Sequence, residues 1–220
     1  MTSPAIPSFH TPPFVPASSV DAAPAPAPSG ALSLDALDTR RSVPAKQLGA
    51  PGPDDATLLR MLRSAVRVPD HGKRVPFRFV RIAGDARHAL GERLAAMTLA
   101  RDPGAGDGAV EKDRTRFSHA PLVIVVVAVF DADDAKIPEQ ERLLTAGSVC
   151  FALLQAAQAL GFGATWLTGW PAYDADVHGL LGLDAQERVA GFIHIGTPKL
   201  DAPERERPDA QALLRDLTLA

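Results

Sequence analysis

Runs of apolar residues, broken by glycine, proline and charged positions, divide this chain into alternating helical and extended periods. Ser33 as a cap, followed by Leu34 and Leu37, predicts a short helix ending near Arg40-Arg41. Pro53-Asp54-Asp55 opens a second helix with Leu58, Leu62, Ala65 and Val66 on one face, and Pro69 stops it. Pro76 leads into an expected strand, Phe77 to Ile82, and Gly84-Asp85 starts a third helix with Leu90, Leu94 and Met97 turned inward. Beyond the glycine-rich loop 104–108, a short helix reaches about Phe117. Pro121 to Phe130 is valine-rich and apolar on both faces, the pattern of a central strand covered on both sides. Glu139 to Leu160 reads as a long helix, charged in its first turns and apolar nearly all round in its second half, with Gly161 as its stop. A strand from Ala164 to Thr168, a short helix from Ala175 to Leu181 and a last strand from Val189 to Ile195 complete the order. The pattern alone leaves an α/β and an α+β core equally open.

Composition narrows the picture. Residues 1–30 are dominated by proline, alanine and serine, so they are expected to form a disordered tail, or an over-long start, ahead of one domain over 31–220. With 46% hydrophobic residues that domain can bury a sizeable core. A net charge of −3 argues against a nucleic-acid partner, and the most apolar run is too short to span a membrane. Cys150, the single cysteine, lies in an apolar run and reads as a small core residue; the cytoplasm is the expected compartment.

Several chemistries lack their signatures. No Walker lysine, no Gly-x-Ser-x-Gly elbow and no full Gly-x-Gly-x-x-Gly is present, and the six histidines show no metal-ligand spacing. What remains is spread along the chain. Arg40-Arg41-Ser42 suits a phosphate, because guanidinium forks bind its oxygens bidentately, although from these residues alone a solvated basic pair is the commoner reading. Arg67-Val68-Pro69-Asp70-His71 places an arginine in the last turn of the second helix and a histidine on the loop after it. Gly161-Phe162-Gly163 precedes Trp166-Leu167-Thr168, and glycines beside a short strand allow a flat ligand close to the backbone.

In order and spacing these pieces, with Pro76-Phe77-Arg78-Phe79, Ala120-Pro121 and Gly191-Phe192 leading to Gly196-Thr197-Pro198, resemble the nitroreductase family and its compact NAD(P)H nitroreductase (YdjA type) branch, over about Leu34 to Lys199. The resemblance implies an α+β sandwich with a mainly antiparallel central sheet flanked by helices. It also implies a homodimer with one FMN in each of two interface clefts. By the same resemblance Arg40, Arg41 and Ser42 hold the FMN phosphate and ribityl chain, Arg67 and His71 approach the flavin from the other subunit, and Trp166, Leu167 and Thr168 line it. The stretch Ala156, Ala157, Gln158, Ala159, Leu160 and Gly161 matches one assigned to NAD(P) in such relatives. One departure is Leu167, which stands where relatives often carry arginine.

The implied activity is that of an FMN-dependent oxidoreductase, taking hydride from NAD(P)H and reducing a small electron-poor substrate, such as a nitroaromatic or quinone, by ping-pong turnover. No side chain need act as a nucleophile, because the chemistry belongs to the flavin. Two rivals stand beside it. One is a flavin oxidase or dehydrogenase not fed by NAD(P)H; the other is a non-catalytic FMN-binding protein.

Overall fold

In a computed structural model the described residues are 34–219, so the expected tail lies outside them. Five strands form one sheet: β1 (Leu48–Gly49), β2 (Phe77–Ala83), β3 (Leu122–Val129), β4 (Gly163–Leu167) and β5 (Glu187–Pro198). β5 is the hub. It pairs with β3, β4 and β1, while β2 pairs with β3; every pairing is antiparallel. The core is therefore the α+β alternative, and the α/β reading left open by the pattern falls away.

The alternation of β3 explains why it is apolar throughout. Leu122, Ile124, Val126 and Ala128 join one buried cluster with α2 (Asp55–Ala65) and α5 (Glu139–Ala159). Val123, Val125 and Val127 join a second cluster on the opposite face with α3 (Ala86–Arg101) and α6 (Ala175–Leu180). Helices cover both faces, so no position on β3 needs a polar side chain. α1 (Leu34–Asp38), α4 (Asp107–Arg114) and α7 (Ala210–Leu213) lie outside this sandwich's main packing.

Local signals account for most boundaries. The Asp54 side chain accepts from the Thr57 backbone N–H at 2.8 Å and starts α2. α2 ends at Ala65, one turn earlier than the pattern suggested, so Val66 is exposed and Arg67 lies just past the helix instead of in its last turn. Met61 takes the inward position and is fully buried. Gly161, at φ 79°, turns the chain out of α5 in the left-handed conformation that stops helices.

β5 begins at Glu187, two residues before its apolar run. Glu187 is only 5% exposed because Arg78 on β2 grips it with two hydrogen bonds, of 2.5 and 2.6 Å. Cys150 is buried, and that burial pushes its thiol up to about 12, so it keeps its proton at neutral pH. No helix among the described residues is long and apolar enough to cross a membrane.

Candidate functional site

α5 is the axis on which the singled-out residues are arranged. At its C-terminal end Gln158 donates to the Ala36 carbonyl at 2.9 Å and fastens α1 there. The chain leaving α1 carries Arg40-Arg41-Ser42, and the Val43 N–H donates to the Ala164 carbonyl at 3.0 Å, stitching this segment to the start of β4. Arg40 donates to Ser42 Oγ at 3.2 Å, and Arg41 pairs with Glu204. A cleft of about 300 Å³ opens here, lined by Thr39, Arg41, Gln158, Phe162 and Gly163 with Pro198, Leu200 and Asp201. A second hollow beside it is lined by Leu37, Asp38, Arg40, Glu204 and Arg207.

Four arginines gather at this corner. Burial first, and then the guanidiniums of Arg207, Arg41 and Arg205, hold Arg40 below the usual arginine value. Glu204 pairs with Arg41 and Arg207, and Asp38 and Asp201 also line the two hollows, so a phosphate arriving here would compete with these carboxylates for the guanidiniums. Arg205 and Arg207 were not singled out from the sequence. They stand in an irregular charged segment, where alternating charges have no periodicity to mark them.

Trp166, Leu167 and Thr168 close β4 beside the middle of α5. Trp166 donates from Nε1 to the Ala190 carbonyl at 3.1 Å and lies flat on β5 over Gly191, where a Cβ would come within 2.0 Å of that nitrogen. Any side chain at 191 would displace the indole. Trp166 and Leu167 share a half-open hollow with Leu143, Leu144, Gly147 and Tyr173. The chain beyond Thr168 is pinned by Trp170, whose Nε1 donates to Asp113 at 3.2 Å while the Arg101 guanidinium lies 4.6 Å over its ring. Burial alone would raise Asp113, but hydrogen bonds from Arg116, Thr98 and Trp170 outweigh it and keep the carboxyl below its usual range.

Arg67 and His71 are at the other end. His71 Nδ1 lies 2.6 Å from Glu141 Oε2 in the first turn of α5. Thr145 Oγ1 donates to the Pro69 carbonyl at 3.2 Å, and Arg74 and Arg142 each donate to Asp134 at 2.7 Å. Both Arg67 and His71 are exposed.

One chain thus gathers the residues into separate groups. Glu141 and Gln158 are about 25 Å apart along the axis at the ordinary helical rise, farther than one FMN reaches. Arg40, Arg41 and Ser42 therefore share no single-chain site with Arg67 and His71. Between the two ends an exposed stripe of α5 carries Leu143, Leu144 (61% exposed) and Phe151 (46% exposed). Of the stretch 156–161, Ala156 and Ala157 are buried, Gln158 holds α1, and Gly161 turns the chain into β4.

Comparison with known proteins identifies the family. A family model described as Nitroreductase family matches residues 37–197. A relative from Escherichia coli (strain K12), named "Putative NAD(P)H nitroreductase YdjA", is 35% identical over 170 residues, covering 77% of this chain and 90% of its own. Among solved structures, a nitroreductase-like family protein from Bacillus cereus superposes with a TM-score of 0.70 at 21% identity, covering 84% of this chain and 95% of its own. A protein from Desulfovibrio desulfuricans described as "a putative nitroreductase in complex with fmn" gives 0.63 at 26% identity, covering 84% of this chain and 96% of its own. Fold, motif order and sequence identity converge: this chain belongs to the nitroreductase family.

Proposed function

We propose that this protein is an FMN-dependent oxidoreductase that works as a homodimer, taking electrons from NAD(P)H and delivering them to a small electron-poor substrate by ping-pong turnover. The observation that carries the reading is the separation of the expected cofactor residues to opposite ends of α5, joined by an exposed apolar stripe. Two copies paired antiparallel along that stripe set the Arg67–His71 end of one chain beside the Arg40–Ser42 end of the other. A two-fold axis does this twice, giving two equivalent sites. Stable interfaces of this kind bury roughly 2,000 Å² or more, and the stripe with the Trp166, Leu167 and Tyr173 hollow would be the apolar centre of one.

The residues present fit FMN. Arg40, Arg41 and Ser42 offer charge-assisted donors to its phosphate, with Arg207 close by. Trp166, Leu167 and Thr168 offer a flat, largely apolar wall to its ring, and Arg67 and His71 of the other chain close the cleft. FMN, when bound, supplies the hydride chemistry and needs no protein nucleophile. The protein's task is to hold the ring, place donors along the edge where negative charge develops, and keep one ring face open to NAD(P)H and then to substrate. Gln158, facing α1 from the end of α5, is the member of the 156–161 stretch best placed to meet a dinucleotide; Ala156 and Ala157 act through packing. Leu167 in place of an arginine leaves the ring wall neutral and favours uncharged substrates.

Denaturing the purified protein and identifying the released flavin tests the cofactor: FMN is expected, and FAD would count against the reading. Arg40→Ala should weaken FMN binding by about tenfold to a hundredfold, the loss of one charge-assisted hydrogen bond. An unchanged dissociation constant would return Arg40 to the role of a solvated surface charge.

A further inference from the structure

The turn that carries His71 is held more firmly than a surface loop requires. Gly72 (φ 70°), Lys73 (φ 54°) and Val75 (φ 49°) all adopt left-handed backbone. For a β-branched valine that region is strained, and it persists only where the surroundings over-determine it. Here they do. Both oxygens of Asp70 accept backbone N–H groups, from Arg74 at 3.1 Å and Val75 at 2.8 Å. Asp134 holds the Arg74 side chain and ties it to buried Arg142 of α5, while Thr145 holds the Pro69 carbonyl.

These ties fix the backbone at position 71 but leave the imidazole free to rotate. A freely rotating ring presents either nitrogen, in either tautomer, to whatever it faces. The remaining freedom is removed by Glu141. Its Oε2 lies 2.6 Å from Nδ1, and a carboxylate accepts, so Nδ1 carries the proton and Nε2 is the nitrogen left open. Glu141 also lies on the α5 face that carries Leu144 and Phe151, so the histidine–carboxylate pair sits at the end of the exposed stripe.

We propose that Glu141 is a positioning residue for His71, holding the ring in one tautomer and one orientation so that Nε2 faces the cofactor cleft completed by the other chain. The inference rests on the reading of His71 as a cofactor-facing residue of a two-chain site. With Nδ1–H committed to Glu141, the Nε2 lone pair of the neutral ring is directed outward, and His71 becomes an acceptor for an N–H or O–H group on the cofactor. A carboxylate in the first turn of a helix is favoured there in any case. What separates positioning from that helix-end effect is that the loss must travel through His71.

A double-mutant cycle on FMN affinity, measured by titrating the apoprotein with FMN, makes the test. The four proteins are wild type, His71→Ala, Glu141→Ala and the double variant. His71→Ala and Glu141→Ala should each weaken FMN by about three- to tenfold, and the double variant should bind no more weakly than His71→Ala alone. Glu141→Gln, which can still accept from Nδ1–H, should recover most of the affinity. In the wild-type protein the ¹⁵N shifts of the His71 ring should report the Nδ1-protonated tautomer, and in Glu141→Ala a mixture. A weakened His71→Ala with an unaltered Glu141→Ala, or losses that add in the double variant, would overturn the positioning role alone. An unaltered His71→Ala would overturn the cofactor-facing reading of His71, and the positioning role with it.

Discussion

At an FMN concentration low enough to leave the Arg40→Ala and His71→Ala homodimers both largely empty and inactive, mixing the two chains should restore activity. Each substitution damages both sites of its own homodimer if every site draws Arg40 from one chain and His71 from the other. In a mixed dimer the two lesions fall together on one site, and the second site is intact. Random reassociation makes about half of the dimers mixed, each with one good site of two, so recovery to about a quarter of wild-type activity is expected. The physical basis is the distance along α5. Gln158 anchors the Arg40 segment at one end and Glu141 anchors His71 at the other, so no single chain brings them together. Assaying the unfractionated refolded mixture checks this, and the purified heterodimer should show about half of wild-type activity. A demonstrated heterodimer that stays inactive would place both residues in one chain's half of the cleft.

The second large effect concerns acid stability. His194 on β5 is 1% exposed, its ring stacks on Phe117 at 5.9 Å, and among the described residues its Nδ1 has no hydrogen-bond partner. Burial, with smaller contributions from the charges of His119 and Arg116, lowers it from 6.5 to about 4. Above pH 6.5 the ring is neutral in both the folded and the unfolded chain, so it makes no difference to stability. As the pH falls from 6.5 toward 4 only the unfolded chain takes up the proton, and stability drains away. Below about 4 the loss is complete, at about 3 kcal/mol. His119, lowered by burial and by Lys46 and Lys199, adds in the same direction. Urea titrations across that window should therefore show a falling midpoint, and His194→Leu, which has nothing to protonate, should flatten the fall. An equally steep acid limb in His194→Leu would assign the loss to other groups.

The long elements were legible because their signals are long. β3 was recognisable from an unbroken apolar run, and α5 from twenty-one residues of helical pattern closed by Gly161. What escaped notice depends on partners distant in sequence. Glu187 and Asp113 are charged and would be placed at the surface by any hydropathy reading, yet Arg78 bonds the first and Arg116, Thr98 and Trp170 the second, which makes their burial tolerable. The two-residue strand β1 exists only because the end of β5 offers Thr197 and Pro198 to pair with. Val66 was assigned inward because the pattern extended α2 one turn too far. At the candidate site the Arg40-Arg41-Ser42, His71 and Trp166 segments were singled out as motifs, but their placement at two ends of one helix was not foreseeable. That placement is a property of the fold, and it is what turns a set of motifs into an argument for two chains. Glu141 was read only as a charge in a first helical turn; its contact with His71 crosses seventy positions of sequence.

The central claim is that this nitroreductase-family chain holds FMN and accepts electrons from NAD(P)H, and an absorption spectrum of the pure protein before and after anaerobic NADH or NADPH tests it most directly. A yellow protein whose flavin bands bleach on adding either nucleotide, and return when an electron-poor quinone or nitroaromatic is supplied, is the predicted result. A protein that stays colourless after reconstitution with FMN, or one whose flavin bands persist under both nucleotides, would contradict it.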